Sequence, residues 1–188
     1  MKNAYVKNLI DNIIATSVSK NWDLAVREWD LVDWDEDLAC SSQCVCGKED
    51  IRYLFRIRNR NNGNELFPIG SQCIKKFGRA DLYQDAVTKE KMFELMHAIE
   101  EGKRIELDSD FFSRRVMEFL FHDGAFQANT FNDNDPGKDY IFLLNMFNKR
   151  NKEDITEAQQ RKIDAIILNS IKPYLRNRLE NKVFKFDK

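Results

Sequence analysis

The chain of 188 residues carries 30 basic and 31 acidic residues, a net charge of −1, with 43% hydrophobic residues and 14 phenylalanines. That is ample apolar material for a core, and it lacks the global basicity of a dedicated nucleic-acid binder. No apolar run approaches the length of a membrane span, and the scarcity of proline (three) and glycine (seven) points to a mostly helical chain.

Residues 3–19 read as an amphipathic helix, because Val6, Leu9, Ile10, Ile13 and Ile14 recur at i, i+3, i+4, i+7 and i+8. Asn21 is placed to cap a second, short helix in which Trp22, Ala25, Val26 and Trp29 share one face. Both tryptophans read as core, although a ring with a polar tip also suits an interface. Residues 23–37 then hold seven acidic residues against one arginine. This stretch reads either as a solvated loop or as an acidic patch that meets a basic partner, since charge complementarity steers encounter. In the second reading the protein-contact residues are Trp29, Asp30, Asp33, Trp34, Asp35, Glu36 and Asp37.

All four cysteines fall in one 34-residue window, spaced C-x3-C-x-C, then a gap of 26 residues, then C. Gly47 follows Cys46 and permits a tight turn. Ile51, Tyr53, Phe55 and Ile57 alternate with Arg52, Leu54, Arg56 and Arg58, which is strand periodicity. Residues 61–64, Asn-Asn-Gly-Asn, signal a turn, and residues 65–69 form the return strand. Ser71 reads as an N-cap that places Cys73 in the first turn of a helix. Knuckle, hairpin and helix-borne cysteine together have the layout of a treble-clef-like zinc module. Cys40, Cys44, Cys46 and Cys73 are the expected ligands of a structural Zn2+ ion, with Cys40 the least secure and His97 or His122 able to replace it. The bland reading is four reduced, partly buried thiols. A closed shell of four thiolates leaves no position for catalytic water. No secretory leader is evident, so a cytoplasmic setting with reduced thiols is expected.

The same window reverses the local charge, with eight basic residues against three acidic ones in residues 47–79. Arg52, Arg56, Arg58 and Arg60 share one strand face. With Lys75 and Lys76 they form the candidate phosphate-binding set for nucleic acid. Alternatively, the arginines pair with the acidic segment of the same chain.

Beyond Arg79 the pattern is helical. Thr88 opens a helix carrying Met92, Leu95, Met96 and Ile99, which ends before Gly102. Asp108 or Ser109 caps a helix that ends at His122–Asp123–Gly124. His122 beside Asp123 is half of a catalytic pair with no visible nucleophile. Asp135–Pro136 starts a helix running to about Lys149, with residues 129–135 as a polar loop before it. Thr156 and Gln159 form a capping box at the start of the longest helix, which Pro173 should kink or restart. Residues 183–186 alternate and suit a short strand or a frayed tail.

Several stretches carry a family resemblance: Cys44–Val45–Cys46–Gly47, Phe67 to Ile74 with Phe77, Asp123–Gly124–Ala125–Phe126, Asp139 to Phe142, Met146 to Arg150 and Ile171 to Tyr174. Together they resemble small cysteine-containing proteins of phages and mobile elements of low-GC Gram-positive bacteria. In particular the chain looks like the zinc-containing type II anti-CRISPR proteins of streptococcal phages. That resemblance implies a non-enzymatic protein in the cytoplasm of the infected host. It would bind the host's RNA-guided CRISPR nuclease and block loading of target DNA. Only the cysteine quartet carries over by position.

The expected fold is α+β and predominantly α-helical, a helical body with the treble-clef-like zinc module embedded in it. Residues 1–38 supply N-terminal helices and the acidic segment, 39–79 the zinc module and 80–188 a helical region, all in one compact unit. The alternative function is a phage accessory protein that binds nucleic acid through the arginine face.

Overall fold

The computed structural model describes residues 2–183. The fold is mixed α and β, with a small antiparallel sheet of three strands in the order β1-β2-β3. The chain divides into two compact units, Met1–Glu90 and Lys91–Lys188. The N-terminal helices, acidic segment and cysteine window fall together in the first. Among the described residues, no helix is long and apolar enough to cross a membrane. The alternation at residues 183–186 lies outside the described residues apart from Val183, which ends a helix.

In the first unit, α1 (Lys2–Thr16) buries Leu9 and Ile13 completely, one turn apart on the expected face. Asn21 caps α2 (Trp22–Ala25) by accepting the Leu24 N–H at 3.3 Å. The acidic segment is strand β1 (Trp29–Glu36) rather than a loop. It pairs with β2 (Tyr53–Asn59) from Trp29↔Asn59 to Glu36↔Tyr53, and the register shifts between Leu31 and Asp33. That shift explains the missed strand. Trp29 and Trp34 are five residues apart and would face opposite ways in a regular strand. One extra residue in the bulge turns both tryptophans inward, so simple alternation is hidden.

Strand β3 (Glu65–Ile69) returns antiparallel to β2, as expected. Helix α3 (Ser71–Lys75) begins one residue earlier than a Ser71 cap implies: Gly70 is the N-cap and Ser71 is already helical. Helix α4 (Ala80–Glu100) starts eight residues before Thr88. Thr88 does not cap; its hydroxyl donates to the Gln84 carbonyl at 2.8 Å, a bond that a threonine makes inside a helix. At 21 residues α4 is the longest α-helix described, and the boundary between the two units falls within it.

The second unit is helical. Its α5 (Arg114–His122) is capped by Ser113, which accepts the Val116 N–H at 3.1 Å. Asp108 caps only a turn, taking the N–H groups of Asp110 and Phe111. Asp135 caps α6 (Pro136–Asn148), and Thr156 and Gln159 complete both halves of the capping box on α7 (Glu157–Ile166). A π-helical segment, Ile167–Ile171, leads into α8 (Lys172–Val183). Pro173 brings no N–H for the carbonyl four residues back, and its ring crowds that turn, so the helix widens just ahead of it. Leu120, Leu143, Ile171 and Leu175 are fully buried in this unit.

Candidate metal centre

The knuckle Cys44–Val45–Cys46–Gly47 turns because Gly47 takes φ +90°, a left-handed conformation that side chains resist. Its backbone is fixed from three directions. Gly47 N–H donates to the Cys44 carbonyl at 2.7 Å, and Cys44 N–H to Lys48 at 2.8 Å. Val45 N–H donates to Pro68 on β3 at 2.9 Å. From α1, the side-chain amides of Asn8 and Asn12 donate to the carbonyls of Cys46 and Val45, at 3.2 and 2.9 Å. Sequence reading did not single out these asparagines. Their signal is a polar pair at i and i+4 beside the apolar face of α1.

Cys44, Cys46 and Cys73 are buried, and their sulfur atoms all lie within 4.8 Å of one another. Cys73 enters from α3, whose first turn follows directly on β3. The sulfurs of Cys44 and Cys73 stand 3.7 Å apart, and Gly70 N–H points at the Cys44 sulfur at 3.4 Å. A disulfide needs about 2.05 Å. Two thiolates on a tetrahedral zinc, at about 2.3 Å each, stand about 3.8 Å apart. The observed separation therefore suits a shared metal. The electrostatics agree in direction: the Cys73 S–H bonded to it, with the N–H groups of Cys46 and Gly70, lowers the Cys44 thiol to about 5. Cys73 is correspondingly pushed up by sharing its proton with Cys44. A site that already favours one thiolate is ready to exchange protons for a cation.

Three of the four expected ligands come together; among the described residues Cys40, His97 and His122 lie outside the group. The cause is the Asp37 carboxylate. It accepts the N–H groups of Ala39 and Ser41 and the hydroxyls of Ser41 and Ser42, pinning the loop on which Cys40 takes φ +50°. The Ser42 hydroxyl is the largest influence holding the Asp37 carboxyl below its usual range. Cys40 does lie close enough to Arg52 to support its charge, behind the larger influence of Glu36. Arg52 in turn lines a cavity of about 160 Å³ that opens onto all three grouped cysteines, together with Asp50 and Glu90.

The acidic contact set is largely spent inside the protein. Trp29 is fully buried, with its indole N–H on the Ser17 hydroxyl at 2.8 Å, and Trp34 is buried with Lys89 5.3 Å from its ring. Both rings belong to the core. Asp30 pairs with Arg60 at 2.6 Å, and Glu36 with Arg52 at 2.6 Å. Asp33 and Asp35 accept the N–H of the following residue. Asp33 is exposed, and so is its neighbour Val32.

Arg56 and Arg58 lie on β2 and Arg52 and Arg60 just beyond its ends, and each is matched by a carboxylate. Glu65 takes Arg56 at 3.3 Å and Arg58 at 2.9 Å. Arg56 also lies over the Phe67 ring, and Lys75 over Tyr83; Lys76 is exposed at the end of α3. Strand pairing of the acidic and basic segments, the intramolecular alternative, is the arrangement observed.

Two further polar features were missed. Glu28, 6% exposed, accepts Val18 and Ser19 N–H groups at 2.8 Å and the Asn59 amide at 2.6 Å. Burial alone would raise its carboxyl; Asn59 and the two backbone donors outweigh it and hold the carboxyl below its usual value. In the second unit, Asp123 binds the Tyr174 hydroxyl and Arg178, so the His122–Asp123 pair has a carboxylate engaged in packing. His97 pairs with Glu100 at 3.1 Å.

Comparison of the chain with protein families, with curated proteins and with solved structures finds no match.

Proposed function

We propose that the chain is a non-enzymatic protein whose first unit is stapled by a structural zinc ion, and that it acts by binding another protein. The observation that carries this reading is the buried three-sulfur group at a spacing suited to a tetrahedral cation. Knuckle, hairpin and helix meet there in a treble-clef-like order. Cys44, Cys46 and Cys73 hold the ion. The fourth position is completed from the cavity they share with Arg52, beside which Cys40 sits. The ion supplies rigidity and no reaction step.

The partner suggested by the family resemblance is a host RNA-guided CRISPR nuclease, with inhibition by blocking target DNA loading. Such a nuclease holds nucleic acid in positively charged channels. The exposed stretch of β1, Val32 and Asp33, followed by exposed Leu38, is the contact surface on this reading. The buried tryptophans beneath it keep the strand rigid. With Trp29 and Trp34 buried, Val32 and Leu38 supply the apolar contacts.

The test is retention of purified nuclease on the tagged protein, with a gel shift for target DNA binding. The reading expects a stoichiometric complex that no longer shifts DNA, lost with the double substitution Val32→Glu and Asp33→Lys. A complex unaffected by that pair removes β1 as the contact surface, and absence of any complex removes this partner.

A further inference from the structure

The second unit carries a site that the zinc reading does not use. A cavity of about 670 Å³ lies between the turn Thr130–Asn132 and the α7–π segment, with Phe131, Ala165 and Ile166 as apolar wall. That volume falls within the range of small-ligand sites. A neighbouring cavity of about 560 Å³ shares Gln127, Asn169 and Ser170 with it and continues past Tyr174, so the two form one groove.

Phe131 is 91% exposed, the most exposed large apolar side chain described. It is held there by design of the turn. Asn129 accepts the N–H groups of Phe131 and Asn132, at 2.8 and 3.2 Å, and Asn132 returns a bond to Asn129 N–H at 2.9 Å. Asn132 is 1% exposed, and its amide donates to Asp139 at 2.8 Å. Asp139 is buried as well and binds Lys162 at 3.4 Å. A buried polar brace thus presents a phenyl ring to water over a groove, where a flexible loop would fold it away.

The remaining wall is chemically specific. Arg161 stands at the rim, 75% exposed, and among the described residues its one ion-pair partner is the solvated Glu157 at 3.8 Å. Asn169 makes no side-chain hydrogen bond among the described residues, and it sits in the π-helical segment. Such segments occur often at functional sites. An exposed aromatic face, the Asn169 amide, the amide oxygen of Gln127 (whose nitrogen donates to the Gly124 carbonyl at 2.8 Å) and a guanidinium at the edge match the parts of a nucleotide. Bases of any kind stack on an aromatic ring, amides read base edges, and the arginine fork suits phosphate.

We propose that this groove binds a nucleotide unit, with the base stacked on Phe131, its edge at Asn169 and Gln127, and its phosphate on Arg161. The source is either a free nucleotide or one unit of a single strand. The test is titration of the full chain with adenosine monophosphate and with fluorescein-labelled dT12, by calorimetry and anisotropy at two salt concentrations. Phe131→Ala should weaken binding by about tenfold with an unchanged melting temperature, since one stacked base contributes that much. Arg161→Ala should weaken it and flatten the salt dependence by about one charge. Leu168→Ala, an exposed apolar residue that does not line either cavity, should leave it unchanged. Saturation by the mononucleotide identifies the free source, and binding of dT12 alone identifies the strand. Absence of binding by both probes up to about 1 mM overturns the proposal, where sites of this kind bind tighter. So does affinity indifferent to Phe131→Ala.

Discussion

The two units of this chain meet the demands of folding by different means. Residues up to Glu90 combine a three-stranded sheet and the helices α1, α2 and α3 with polar devices: a sulfur group, a buried Glu28–Asn59 pair, and ion pairs across the sheet. Residues from Lys91 onward rely on helices whose apolar faces meet, with a buried Asn132–Asp139 pair that half-exposed Lys162 caps. Apolar packing tolerates small edits, because neighbouring side chains share the loss. A polar device fails as a unit, because each removed partner leaves a buried group without its bond. The contrast predicts where the molecule breaks first.

On the zinc reading proposed above, the largest expected effect is loss of the metal. Binding free energy at such a site is folding free energy, on the order of 10 kcal/mol for structural zinc. Cys73→Ser should abolish metal binding and collapse hydrogen-exchange protection across residues 40–77. Protection in α6 should stay unchanged, and a uniform loss in both units would erase the contrast. Cys40→Ser should be milder: zinc remains stoichiometric and leaves faster to a chelator. A Cys40→Ser variant without metal would return Cys40 to the essential ligands.

Next in size is a core truncation in the helical unit. Leu143 is fully buried, and Leu143→Ala should cost about 3 kcal/mol in a denaturant titration. Glu28→Ala should follow at about 2 kcal/mol, by orphaning the Asn59 amide and two backbone N–H groups. Glu28 also carries a pH signature. Its folded carboxyl lies below the ordinary value of 4.5. Its contribution is therefore fully present above that value and is lost as pH falls through the lower, folded one. Glu28→Gln should flatten the acid limb of the stability curve there; an unchanged limb would show that Glu28 does not titrate with unfolding. Smallest is Thr156→Ala, which removes one half of the capping box on α7 and should cost about 1 kcal/mol.

The same contrast marks how far the sequence could be read. Helices were legible where a cap met an apolar period: Asn21, Asp135 and Thr156 each cap the helix expected of them. The hairpin of β2 and β3 followed from alternation and the Asn-Gly turn. Strand β1 did not, because its bulge puts two tryptophans five residues apart on one face. Thr88 was misread as a cap since a threonine that bonds back to the carbonyl four residues earlier looks the same in sequence. At the candidate metal centre, spacing identified three sulfurs. It missed that Asp37 ties the Cys40 loop away from them, which depends on a carboxylate collecting four donors in space. The asparagines of α1 that brace the knuckle were hidden for the same reason: their partners lie 38 and 33 residues away.

The most direct test of the zinc staple is metal content by mass spectrometry of the purified chain beside its Cys73→Ser variant. The account predicts one zinc per chain in the first and none in the second. A chain free of metal, or a variant that keeps it, would contradict the metal centre and leave the three thiols as core residues.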